Sequence, residues 1–106
     1  MLNTQHLITF KALVETGSFT KTAKLLGLTQ PAVSQHIQKL ERCLGESLLV
    51  RHGRITDMTP AGEVLWQHIR ELELCYEHFI DSWEAYLAAR SAKVLDTVLP
   101  ERQEHS

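Results

Sequence analysis

No apolar run in this chain approaches the roughly 18 residues of a membrane-spanning helix, so no membrane span is expected. The first residues, MLNTQHLITFK, lack a basic start followed by a continuous apolar block, which argues against a signal peptide. Cysteine is scarce: Cys43 and Cys75 stand far apart with no CxxC pair. That argues against a disulfide framework or a cysteine zinc site and suits a reducing cytoplasm. The six histidines are scattered as singles, none in an HxxxH pair with an acidic partner, so no metal site is expected. No Ser/His/Asp set, paired carboxylates or phosphate loop is present. Neither catalysis nor a cofactor is therefore expected.

What remains is ordinary for one small globular domain: 106 residues, 43% hydrophobic and 23% charged. The net charge of −2 hides a division. Residues 1–60 carry seven Lys/Arg against four Asp/Glu, a net of +3, whereas residues 61–106 carry four against nine, a net of −5. Such asymmetry suggests two jobs, one of them facing a polyanion.

Glycine and proline, few in number, punctuate the chain. Asn3 or Thr4 can cap a first helix whose inner face is Leu7, Phe10, Leu13 and Val14, and Gly17 stops it. Ser18 caps a short second helix through Leu26, with Phe19, Ala23 and Leu26 inward, and Gly27 ends it. Thr29 caps a third helix with Pro31 in its first turn, where the missing N–H costs nothing. Val33, Ile37, Leu40 and Leu44 form its buried stripe, and Gly45 closes it. Leu48–Val50 and Ile55–Met58 flank Arg51-His52-Gly53-Arg54, which predicts a two-stranded hairpin leaning on the helices.

Thr59-Pro60 opens a fourth helix, and beyond Glu63 no proline or glycine interrupts it before about Leu95. Leu65, Ile69, Leu72, Tyr76, Phe79, Trp83 and Tyr86 step by fours and threes along it, a heptad seam widened by Ile80 and Leu87. A seam this long exceeds what a headpiece of about sixty residues can cover, so a second copy is the expected partner. The expected division is a headpiece over residues 1–58, a linker and dimerisation helix over 59–95 and a disordered tail over 96–106.

Three helices followed by a hairpin is the order of a mainly α, winged helix-turn-helix fold. The third helix carries Gln30, Ser34, Gln35 and Gln38 on its polar side, where a merely solvated face usually has Lys and Glu. Side-chain amides offer both a donor and an acceptor, which suits base edges in the major groove of DNA. Pro31 presents an apolar ring for a thymine methyl. Ser18 and Thr20, at the start of the second helix, suit the phosphate backbone, and Arg51 and Arg54 a phosphate or a narrow minor groove. The same features also suit an ordinary solvated helix and a charged hairpin edge. His36 and His52 are expected on the surface, and Cys43 as a small packing residue.

The sequence resembles the N-terminal DNA-binding domain and linker helix of the LysR-type transcriptional regulators. Carrying the resemblance are Phe10, Glu15-Thr16-Gly17-Ser18-Phe19-Thr20, Ala23, Leu26 and Thr29-Gln30-Pro31-Ala32-Val33-Ser34. Ile37, Leu40-Glu41, Leu44-Gly45, Arg51, Gly53-Arg54 and Thr59-Pro60-Ala61-Gly62 complete the set. Thr22 stands where a second alanine is usual and Leu49 where Phe is common; His52 and Met58 also depart from the pattern.

The resemblance implies base contacts from Gln30, Pro31, Ser34 and Gln35, with Arg54 as the wing arginine. Backbone contacts from the start of the second helix join these, and Gln38 is added on its position. It also implies binding of inverted-repeat promoter sites by a homodimer whose linker helices pair antiparallel. Full members continue into a two-lobed domain that binds a small co-inducer. The segment SAKVLDTVLPERQEHS lacks that domain's opening strand pattern, and no small-molecule site is evident. The chain thus reads as a DNA-binding domain alone or as a short form without a sensor. The alternative function is a dimerisation module that pairs with a full-length regulator and titrates it away from DNA.

Overall fold

The computed structural model describes residues 2–52 and 55–98. Their order is α1 (Thr4–Thr16), α2 (Phe19–Leu26), α3 (Gln30–Leu44), β1 (Leu49–His52), β2 (Ile55–Met58) and α4 (Pro60–Val98). This is the expected winged helix-turn-helix order with a long terminal helix.

Each helix begins at a capping side chain. Asn3 Oδ1 accepts from the His6 N–H at 3.2 Å, and Ser18 Oγ from the Lys21 N–H at 3.1 Å. Thr29 Oγ1 accepts from the Ala32 N–H at 3.2 Å, and Thr59 Oγ1 from the Gly62 N–H at 3.0 Å. Each such cap contributes about 1 kcal/mol. Gly17, Gly27 and Gly45 end the first three helices in the left-handed region, as their positions predict.

The chain divides into two compact units that meet between Arg70 and Glu71, inside α4. In the first, Leu7, Phe10 and Leu13 of α1 meet Ala23 of α2 and Val33, Ile37 and Leu40 of α3, with Leu48, Leu65 and Ile69 completing the core. Burying a side chain of this size contributes roughly 1.5–3 kcal/mol. Phe19 and Val14 pack against the core from its edge. Leu44 does not follow its stripe: it is 43% exposed at the last turn of α3, bordering an apolar groove with Leu2, Val64 and Leu65. Cys43 is exposed and makes no packing contribution of the kind expected for it.

Two threonines that the hydrophobic pattern passes over are fully buried. Thr16 Oγ1 donates to the Ser18 carbonyl at 3.1 Å, so the 2.8 Å contact with Thr22 is supplied by the Thr22 hydroxyl proton. Thr9 Oγ1 donates to the Gln5 carbonyl at 3.0 Å and meets His36 Nδ1 at 2.7 Å. His36 is therefore half-buried between α1 and α3, not a plain surface residue. Burial of these hydroxyls is tolerated because both are hydrogen-bonded.

The wing is an antiparallel pair with Arg51 opposite Thr56 and Leu49 opposite Met58. Glu41 of α3 anchors its approach, accepting from the Leu48 N–H at 2.8 Å. Thr59 closes the far end: its N–H donates to the Leu48 carbonyl at 3.0 Å and its hydroxyl to the Ser47 carbonyl at 2.6 Å. Gly62 is required here, because a Cβ at that position would run into the Leu48 carbonyl oxygen.

In the second unit α4 continues to Val98, three residues past the expected end at Leu95. Residues 96–98 are thus helical, and the rest of the expected tail lies outside the described residues.

Candidate nucleic-acid interface

The polar side of α3 is open to solvent. Gln30, Pro31, Gln35 and Gln38 are exposed, and Ser34 is half-buried beside them. Amphipathic spacing explains this: with Val33, Ile37 and Leu40 turned inward, these five occupy the opposite and flanking arcs. The first turn of α3 has its own tether to α2. Gln30 Nε2 donates to Thr20 Oγ1 at 2.7 Å, which brings two expected contact residues from different helices together.

Ser18 is committed to its own helix as the cap of α2, and its hydroxyl accepts from the Lys21 N–H. Its hydroxyl hydrogen and the other free amides of that first turn form the electropositive end expected to suit phosphate. Beside it the guanidinium carbon of Arg51 lies 4.0 Å from the centroid of the Phe19 ring. A shallow hollow between α2, α3 and the wing is lined by Phe19, Ser34, Gln38, Glu41, Leu49 and Arg51. The structure thus gathers Ser18, Thr20, Gln30, Ser34, Gln38 and Arg51 into one region of the first unit. Arg54 lies outside the described residues.

Two residues carry this geometry through contacts that spacing does not show. Phe19 looks like a core residue, yet its ring also bears Arg51. Glu41 stands out in the sequence only as part of the family resemblance, yet it holds the entry to the wing.

The seven-residue seam divides. Leu65 and Ile69, each 5% exposed, belong to the core of the first unit and are not available to a second copy. The first turns of α4 supply a wall of that core, which is why the apolar spacing begins there. Leu72, Tyr76, Phe79, Trp83 and Tyr86 are between 45% and 64% exposed. Their rings form a row, with centroids 6.5 Å apart from Tyr76 to Phe79, 6.1 Å to Trp83 and 5.3 Å to Tyr86. Among the described residues no helix is long and apolar enough to cross a membrane.

Residues 4–63, more than half of the chain, match the family model for bacterial regulatory helix-turn-helix proteins of the lysR family. The HTH-type transcriptional regulator TdcA of Escherichia coli K12 is 47% identical over 62 residues, 58% of this chain and 20% of that protein. The chain therefore spans about a fifth of that relative's length. The crystal structure of the BenM DNA-binding domain in complex with catB site 1 DNA superposes with a TM-score of 0.69 at 36% identity, covering 78% of this chain and 92% of that one. Full-length LysG from Corynebacterium glutamicum gives a TM-score of 0.71 at 31% identity, over 88% of this chain and 31% of its own.

Proposed function

The chain belongs to the lysR family of bacterial regulatory helix-turn-helix proteins, and from that premise we propose that it binds an inverted-repeat site on double-stranded DNA as a homodimer. Gln30, Pro31, Ser34 and Gln35 read base edges in the major groove. Ser18, Thr20, Gln38, Arg51 and Arg54 hold the backbone or the neighbouring minor groove. No reaction is catalysed: the matched relatives are transcriptional regulators.

The observation that carries this is the exposure of an uncharged, amide-rich helix face beside the capped start of α2. A solvated surface alone has no need of amides on that face, whereas base edges demand paired donors and acceptors. The structural likeness to a domain crystallised with DNA supports the same assignment. Homodimer formation is supported by the row from Leu72 to Tyr86, since an isolated soluble chain rarely leaves so long an apolar stripe wet. Two-fold pairing of readers matches two half-sites about one helical turn apart.

Selection of bound sequences from a random duplex pool tests the proposal. A two-fold symmetric consensus is expected. Binding without any enriched sequence defeats it, as does a chain that binds no duplex but pairs with a full-length regulator.

A further inference from the structure

Beyond Tyr86 the steps of four and three along α4 reach Arg90 and then Lys93, so the exposed stripe ends in two cations. At its other end the stripe is bounded by the core of the first unit, which takes up Leu65 and Ile69. A second copy can therefore cover it only from Leu72 onward. Helices that share such a stripe pair in registers one heptad apart.

Charge decides the direction. A parallel, in-register pair would set Arg90 against Arg90 of the partner subunit and repeat the repulsion at Lys93. Antiparallel pairing separates those cations. The antiparallel register that sets Phe79 against Trp83 and Tyr76 against Tyr86 brings Arg90 over Leu72 of the partner subunit. It covers every exposed member of the row and stops short of Ile69. Shifted one heptad toward the first unit, Tyr86 would have to face Ile69, which is already in the core. Shifted one heptad the other way, Phe79 would face Arg90.

In the register that remains, Glu73, half-buried beside Leu72, comes next to Arg90 of the partner subunit, once on each side of the two-fold axis. Within one chain the two residues stand on the order of 25 Å apart along the helix and cannot meet. We infer that Glu73 and Arg90 form a reciprocal ionic pair between two antiparallel copies, and that this pair sets the register and selects a second copy of this chain as the partner. The inference rests on the homodimer proposed above and adds which residues recognise the second copy.

The test compares the full chain as wild type, Glu73→Arg, Arg90→Glu and the double variant. Neither position belongs to the core of the first unit. In sedimentation equilibrium each single variant is expected to show a dimer dissociation constant raised about tenfold, because like charges then meet at both contacts. The double variant restores wild-type association. Mixed in equal amounts, with a fluorescent label on one of them, the two single variants are expected to pair with each other as tightly as the wild type pairs with itself. Each then presents the sign that the other needs.

Single variants that dimerise as well as the wild type overturn the inference. So do single variants that associate weakly and are rescued neither in the mixture nor in the double variant, since the charges would then act within one chain. A wild-type chain that is monomeric is a different failure, because it removes the proposed homodimer itself.

Discussion

The guanidinium of Arg51 stacks on the ring of Phe19, with its carbon 4.0 Å from the centroid. A side chain of the wing is thereby held against the first turn of the helix that precedes the proposed reading helix. An exposed cation–π contact of this kind contributes about 0.5–1 kcal/mol, and it also limits where the charge can go. Arg51→Ala is expected to weaken duplex binding and to reduce the salt slope by about one per half-site. Arg51→Lys keeps the charge but not the planar stack, so it is expected to weaken binding with the slope retained. Fluorescence anisotropy across a salt series reads both. An unchanged slope in the alanine variant would place Arg51 outside the interface.

Gly62→Ala is expected to destabilise the first unit by roughly 1–3 kcal/mol, because the added carbon meets a backbone carbonyl that cannot swing aside. Leu48 is itself buried and its carbonyl accepts from Thr59, so both sides of the clash are fixed. Urea unfolding would register a lower midpoint. A midpoint equal to that of the wild type would mean that the α4 start relaxes away from the wing.

Phe79→Asp is expected to yield monomers in sedimentation, since Phe79 lies mid-row between Tyr76 and Trp83 and a carboxylate there would be buried unpaired. Leu65→Asp, by contrast, is expected to unfold the first unit, because that residue is a core member. Dimers of the Phe79 variant would move the association surface elsewhere.

Stability is expected to fall on acidification through one identifiable group. The rings of His6 and His36 lie with centroids 4.7 Å apart, tilted by 34°. Partial burial, then His36, then Lys39 hold the His6 imidazole below the ordinary histidine value of 6.5. A base whose folded pKa is depressed takes up its proton more readily when unfolded. Stability is thus intact above about pH 6.5 and is lost as the pH drops from there toward the folded pKa. Thermal melts from about pH 8 to 5 should slope downward for the wild type and less steeply for His6→Gln. Parallel curves would show that His6 contributes no linkage.

Much of the fold is readable from residue spacing because the inner faces of the first three helices obey one period. Leu7, Phe10, Leu13, Val33, Ile37 and Leu40 are buried where that period places them. The caps and stops are local chemistry, and they too fall where Asn3, Ser18, Thr29 and the glycines put them. The same period cannot say what an apolar residue packs against. Leu65 and Leu72 look alike in the heptad, yet one lies in the core and the other is 45% exposed. Leu44 continues the α3 stripe but lies on an open apolar groove beside Leu2 and Val64, 43% exposed.

Polar burial is less readable still. Thr9, Thr22 and His36 depend on hydroxyl and imidazole partners from other turns, and a hydrophobic pattern treats them as surface. At the candidate site, the exposed face of α3 follows from spacing, but the Thr20–Gln30 and Phe19–Arg51 pairings do not. Each joins residues from separate elements whose proximity exists only once the helices have packed.

The bond from the Glu41 carboxylate to the Leu48 amide ties the far end of α3 to the root of the hairpin. The end of α3 and the root of the hairpin are therefore joined by a side-chain contact as well as by residues 45–47. A duplex that meets both elements is expected to meet them at that one spacing, so groove widths that depart from it are expected to cost affinity.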